Sequence, residues 1–258
     1  MKKTVLFILI LTMLCVALSI PCLAQNTSYH WYCKHVKEHA QPQIEPNMVF
    51  IEELDGYYLD HECGDEKVIY LTFDVGYENG NVAKTLDVLK EENVSAAFFI
   101  LGNLITHDTE LVKRMVADGH TVCNHSVQHK DMTAWSDADF LQELHDLEAL
   151  YKEHIGSELA SFYRPPEGNF SKQNLACAKA NGYKTIFWSF AYPDWDNQKQ
   201  MSKEKAKQII LENVHNGEVM LLHPTSATNA AILGEVIREL KSQGYRFGTL
   251  DELTGGEA

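Results

Sequence analysis

The chain has 258 residues, 45% of them hydrophobic and 22% charged, with a formal charge of −14. That length accommodates one sizeable α/β core, and the acidic balance argues against partners recognised through phosphate, whether nucleic acid or anionic membrane. Six cysteines, four of them beyond residue 24, are too few for a disulfide scaffold, and the absence of a CxxC pair argues against a structural zinc knot.

Residues 1–24 read as a secretory signal. Lys2 and Lys3 form a basic head, Val5–Ile20 is an almost unbroken apolar run, and Cys22-Leu-Ala24 ends in a small residue suited to cleavage before Gln25. Sixteen residues is short for a membrane span, and no second apolar stretch follows, so the mature protein is expected to be secreted without a stable membrane span. Residues 25–65 form a lead-in rich in aromatics (Tyr29, Trp31, Tyr32, Tyr57, Tyr58). This segment is too short for an independent domain and is expected to wrap the domain that follows. A Cys33–Cys63 disulfide, permitted by secretion, would staple it.

From residue 66 to 254, short apolar runs alternate with helical patterns. Strands are predicted at Val68–Phe73, Ala96–Ile100, Thr121–Asn124, Phe162–Tyr163, Thr185–Trp188, Val219–Leu222 and Arg246–Thr249. The stretch Asp137–His154 carries Leu141, Leu144, Leu147 and Leu150 at helical spacing, with Ser136 as its N-cap. Glycines at Gly119, Gly182, Gly217 and Gly244 punctuate four helix-to-strand junctions, where a left-handed residue closes a helix. Repeated units of this kind imply right-handed crossovers and a parallel sheet. The predicted fold class is α/β: a distorted, incomplete (β/α) barrel of about seven parallel strands. The loop Gly76-Tyr-Glu-Asn-Gly80 has the wrong spacing for the phosphate-binding turn of an open doubly wound sheet.

Five polar residues follow predicted strands: Asp74, His125, Arg164, Asp194 and His223. In (β/α) barrels the loops after the strands converge on one mouth, which carries the chemistry. Asp74 suits a general base, its pKa expected to rise toward working pH as burial strips its solvation; capping the next helix is its plainer role. His125 and His129 stand four apart and would share a face if they begin a helix, a spacing that binds a zinc-type ion or merely decorates a surface. Arg164, ahead of two prolines, can hold Asp74 ionised or serve a structural ion pair, and the N–H of Glu167 can face an oxyanion. His223 can protonate a leaving amine with Asp194 orienting its ring, or be a capped core histidine. Trp195 offers an apolar wall for a sugar face. His107, His120, His145, His154 and His215 are expected to be solvated.

Together these segments resemble the polysaccharide deacetylase family, the NodB-homology enzymes of carbohydrate esterase family 4. The resemblance covers about residues 66–254 and rests on five motifs in order: Thr72-Phe-Asp-Val-Gly76, His125-Ser-Val-Gln-His129, Arg164-Pro-Pro-Glu-Gly168, Asp194-Trp195 and Leu221-Leu-His223. It implies a catalytic domain over 66–254 that hydrolyses N-acetyl groups from amino sugars with a divalent metal, zinc in the usual case. The implied roles are Asp74 as base, His125 and His129 as metal ligands, Arg164 as the support of Asp74, and His223 as an acid tuned by Asp194. Trp195 and Glu167 would contact substrate.

Two positions depart from the family pattern. Val75 stands where most members carry an aspartate, the third metal ligand, which implies weaker metal binding; Glu167 replaces a usual aromatic. The continuation Gly76-Tyr-Glu-Asn-Gly80 and the lead-in Met48-Val-Phe-Ile-Glu-Glu53 with Gly56-Tyr-Tyr-Leu59 resemble the delta-lactam-forming muramic acid deacetylases of spore-forming bacteria. That implies a peptidoglycan substrate, N-acetylmuramic acid, deacetylated at the cell wall or spore cortex on the way to a lactam. The alternatives are a deacetylase of chitin-like GlcNAc oligomers and a non-catalytic glycan-binding protein on the same scaffold.

Overall fold

The computed structural model describes residues 27–256; the leader predicted at 1–24 lies outside them. In chain order its strands are β1 (Ser28–His30), β2 (Gly56–Tyr57), β3 (Val68–Val75), β4 (Ala97–Ile100), β5 (Thr121–Asn124), β6 (Ala160–Tyr163), β7 (Asn169–Ser171), β8 (Lys184–Ile186), β9 (Glu218–Leu222) and β10 (Arg246–Phe247). The helices are α1 (Phe50–Glu53), α2 (Val82–Glu91), α3 (Gly102–His107), α4 (Thr109–Ala117), α5 (Asp137–Ile155), α6 (Lys172–Ala180), α7 (Lys203–Asn213), α8 (Ala227–Ser242) and α9 (Leu250–Leu253).

β3 is the central strand, because seven of its eight residues are buried and both faces are apolar for most of its length. β9 pairs along one side of it and β4 along the other, followed by β5, β6, β8 and β2; β10 pairs with its first two residues. Every pairing in this sheet is parallel. The sheet curls until β9 meets the chain beyond β8 through a bridge between Phe190 and Met220, and meets the lead-in through Leu59–Glu218. The architecture is the expected α/β incomplete barrel. All seven predicted strands are present, and an eighth, β2, comes from the lead-in. The last is shorter than predicted because Thr249 instead caps α9, its Oγ1 accepting from Glu252 N–H.

The two-residue period of β3 sorts its side chains into two layers. Ile69, Leu71, Phe73 and Val75 face outward, packing with Val82, Leu86 and Leu89 of α2 and Ile232, Val236 and Ile237 of α8. Val68 and Tyr70 face inward with Phe99, Cys123, Ile186 and Val219. Thr72 and Asp74 continue that inner face, so the same alternation that builds the core delivers a carboxylate to the mouth. The four junction glycines all adopt positive φ, 72 to 91°, and at Gly217 a Cβ would lie 2.3 Å from the Asp60 carbonyl oxygen. Ser136 caps α5 as predicted, its Oγ accepting from Asp139 N–H.

Besides β2 and the Leu59–Glu218 bridge, the lead-in is tied in at two further places. β1 pairs antiparallel with β7, and Trp31, Met48, Ile51 and Tyr58 form a core cluster with Phe170, Leu175 and Phe187. Cys33 and Cys63 are not bonded to each other. Cys33 lies beside the Ala191 backbone, where burial pushes its thiol up to about 12, whereas Cys63 Sγ takes a contact from Gln41 Nε2 at 3.6 Å. His120 and His215 are buried rather than solvated, each packed behind a strand that starts within a few residues of it. No helix among the described residues is long and apolar enough to cross a membrane.

Candidate active site

Asp74 is the last inward-facing residue of β3, and its surroundings decide its charge. Arg164, directly after β6, donates from Nη1 to Asp74 Oδ1 at 2.7 Å. The guanidinium has no exposed surface; its other bonds run to Thr72 Oγ1 (2.9 Å), Ile186 O (3.0 Å) and Phe187 O (3.1 Å), and its face lies 4.1 Å from the Phe99 ring. Burial is the largest influence on Asp74 and pushes its pKa up, as expected from sequence. The charges of Arg164, His125 and His223 outweigh it, so the carboxyl is held below its ordinary value. Asp74 is therefore an ionised acceptor, not a carboxyl poised near neutrality.

His125 and His129 do meet, but not on a helix. Residues 125–129 form a loop in which Ser126 and His129 both have positive φ (73° and 56°). Local side chains fix it: Asn124 Oδ1 accepts from Ser126 N–H, Ser126 Oγ from His129 N–H, and Glu143 Oε1, on α5, from Gln128 N–H, each at 2.8–2.9 Å. The two rings stand edge to face with centroids 4.9 Å apart. His125 Nδ1 lies 2.9 Å from the Arg164 carbonyl, an acceptor only, so Nδ1 carries the proton and Nε2 the lone pair. Burial pushes this imidazole down to about 4. Its Nε2 then faces Asp74 Oδ2 at 3.5 Å, two electron-pair donors with no proton between them.

Imidazole and carboxylate are donor types that a divalent cation accepts. Among the described residues no group of three metal-binding side chains closes into a complete site. The Val75 side chain belongs to the outer apolar layer and contributes nothing to the mouth.

Across the mouth, His223 follows β9. Asp194 accepts twice from it, Oδ1 from ring Nδ1 at 2.7 Å and Oδ2 from the backbone N–H at 2.8 Å. Asn229, in the first turn of α8, donates to the same Oδ2 at 2.5 Å and to His223 O at 3.1 Å. Burial is the largest influence on His223 and lowers its pKa. The charge and hydrogen bond of Asp194, with help from Asp74, overcome it, and the net shift is upward.

Asp74, His129 and His223 open into a cavity of about 650 Å³ whose walls include Glu167, Trp188, Tyr192 and Trp195. Trp195 is 64% exposed at the rim. Glu167 sits in a tight turn with φ 55°, and the following Gly168 packs so closely on Trp31 and Trp188 that a Cβ there would meet both within about 3 Å. Such a cavity, apolar on its walls with a few converging polar groups, is the usual form of a small-ligand site.

The polysaccharide deacetylase family matches residues 61–186. A peptidoglycan-N-acetylmuramic acid deacetylase of Bacillus subtilis, PdaA, is 39% identical over 230 residues, 88% of this chain and 86% of its own length. This chain belongs to the polysaccharide deacetylase family. The structure of Bacillus subtilis PdaA, described as a family 4 carbohydrate esterase, superposes with a TM-score of 0.85 at 37% identity, over 89% of this chain and 98% of that one. A family 4 pseudoenzyme from Bacillus anthracis superposes with a TM-score of 0.70 at 27% identity, over 77% and 68% of the respective chains.

As a polysaccharide deacetylase the protein is a hydrolase of amide C–N bonds, and a divalent metal is in keeping with its family. Sequence reasoning missed two parts of the site. Asn229 had only a weak signal, a polar residue at the third position after the Ser226 N-cap. The lead-in residues His30, Trp31, Tyr32 and Cys33 also line the cavity. Their signal was the alternation in Tyr29-His30-Trp31-Tyr32, which marks a strand with one buried and one open face.

Proposed function

We propose that this polysaccharide deacetylase removes the acetyl group of N-acetylmuramic acid in peptidoglycan, acting outside the cell at the wall or spore cortex, with muramic delta-lactam as the eventual product. The observation that carries the chemistry is the pairing of two supported groups on opposite sides of one cavity: Asp74 held by Arg164, and His223 held by Asp194. The substrate assignment rests on the likeness to PdaA.

In this mechanism His125 and His129 would hold the metal, zinc by the nature of the donors. When bound, it supplies Lewis acidity to the amide carbonyl and acidifies water. The chain's own residues do the rest. Arg164 occupies Asp74 Oδ1 and leaves Oδ2 as the acceptor for the proton of the attacking water. The backbone N–H of Glu167 is the proposed donor to the oxyanion. His223, anchored through Nδ1, protonates the leaving nitrogen from Nε2 as the C–N bond breaks, releasing acetate and a free amine. Trp195 and Glu167 contact the sugar at the rim.

The test is acetate release from peptidoglycan with and without its stem peptides, using the chain from Gln25 onward with zinc supplied. Release from stripped glycan alone supports the reading. Release only from GlcNAc oligomers would replace the substrate, and glycan binding without release would make the protein a non-catalytic binder with Val75 as the reason.

A further inference from the structure

A muramyl substrate carries a carboxylate on its lactyl ether, and the acidic chain must accommodate it somewhere. Among the described residues, the cavity lining contains neither lysine nor arginine. Arg164 lies beneath the floor, fully buried, with four of its N–H groups bonded to Asp74, Thr72, Ile186 and Phe187. Lys34 is paired with Glu45 and does not line the cavity. The cation-capable side chains that face the cavity are three histidines, and two of them, His129 and His223, already have proposed roles. The third is His30.

β1 presents His30 by simple alternation. Tyr29 stacks on Phe170 and Trp31 is buried among Tyr58 and Phe187, which turns His30 and Tyr32 outward, both exposed and both on the cavity wall. The strand is fixed against β7, with His30 opposite Asn169, and is extended by Trp31 N–H donating to Gly168 O at 2.8 Å. Asn169 Nδ2 donates to Glu167 Oε2 at 3.2 Å, which leaves Asn169 Oδ1 as the acceptor facing His30 Nδ1 at 2.8 Å. His30 Nδ1 therefore carries a proton, and Nε2 has no partner among the described residues. The Tyr32 ring is pinned in turn by its hydroxyl, which donates to Glu45 Oε1 at 3.1 Å.

We propose that His30 and Tyr32, contributed by the lead-in, form the subsite for the acidic side arm of the sugar. His30 Nε2–H meets the lactyl carboxylate in a charge-assisted hydrogen bond, and the Tyr32 ring packs on the pyranose beside it. This rests on the muramyl reading above. The lead-in is then a specificity element of the site, not only a wrapping for the barrel.

The experiment compares kcat/KM on peptide-free muramyl glycan and on the same glycan with its lactyl carboxylate converted to a methylamide. The parent enzyme is expected to prefer the carboxylate form about tenfold, the effect of one charge-assisted hydrogen bond. His30→Ala should bring that preference to near unity through KM, and His30→Lys should keep it. Tyr32→Ala should raise KM on both glycans alike. A full preference retained by His30→Ala overturns the inference, as does a loss by His30→Ala that falls equally on both glycans. If the parent enzyme releases acetate from neither muramyl glycan, the substrate reading itself has failed, and that result is visible before any variant is made.

Discussion

Arg164 reaches Asp74 from below, 2.7 Å from Nη1 to Oδ1, without exposing any surface of its own. Its remaining donors end on neutral oxygens, so Asp74 supplies the countercharge for a buried cation as well as an acceptor for the reaction. Asp74→Asn is therefore expected to reduce kcat by at least about a thousandfold and to lower stability by about 3–5 kcal/mol, the usual effect of removing one partner from a buried pair. Circular dichroism should show a folded protein with a reduced Tm. An unchanged Tm alongside lost activity would mean that the guanidinium finds compensation elsewhere.

The upward shift of His223 has a consequence for pH. Because Asp194 favours the charged ring, His223 stays protonated above the usual histidine value, and activity that needs it as an acid falls only as pH rises through that raised value. Asp194→Asn removes the charge and should move the alkaline limb of kcat/KM toward lower pH. Asn229→Ala leaves the charge but removes a donor from Oδ2, so it should lower kcat by about tenfold with a smaller displacement of the limb, acting as a positioning change. A limb unmoved by Asp194→Asn would assign the alkaline transition to another group.

What the sequence revealed here follows from how local each signal is. Asp74, Arg164 and His223 end or follow strongly apolar strands, so the fold class fixes their direction once the strands are placed. The contact between His125 and His129 was legible as a pair, but the helical explanation was wrong. Their meeting depends on left-handed φ at Ser126 and His129 and on Glu143, which is distant in sequence and reaches Gln128 only after α5 has packed. Asn229 and His30 were only faintly marked for the same reason, since each acquires its role from a partner 35 or 139 residues away. The net pKa of Asp74 was likewise misjudged. Burial is foreseeable from an apolar strand, whereas Arg164, His125 and His223, which together outweigh it, converge only in the folded barrel.

Metal binding should be weak and should depend on both imidazoles. With Val75 turned into the outer core, His125 and His129 are the donors left at the mouth among the described residues. Chelation is expected to suppress acetate release and added zinc to restore it, with half-restoration at a higher metal concentration than in relatives that carry a carboxylate at this position. Loss of either imidazole, a direct ligand, should weaken the site by at least the roughly tenfold to hundredfold that loss of an outer-shell support costs. His125→Ala and His129→Ala should each show this by calorimetric titration. Full activity in the presence of chelator would remove the metal from the reaction.

The last expectation concerns a carboxyl far from the chemistry. Glu218 opens β9 with no exposed surface, accepting from His215 N–H through Oε2 at 3.1 Å while Oε1 has no partner among the described residues. Burial raises its pKa well above the ordinary value, so the folded protein holds a proton there that the unfolded chain gives up at lower pH. For a raised carboxyl, this contribution to stability is present in full below the ordinary carboxylate pKa and is lost as pH rises toward the folded value. Nearby His215 is pushed down to about 4, which keeps it neutral across that window. Glu218→Gln preserves the shape and the acceptor for His215 N–H but abolishes the ionisation. Its Tm should match the parent near about pH 5 and exceed it by several degrees near about pH 8. An equal difference at both pH values would show that packing, not the proton, sets the effect of this residue.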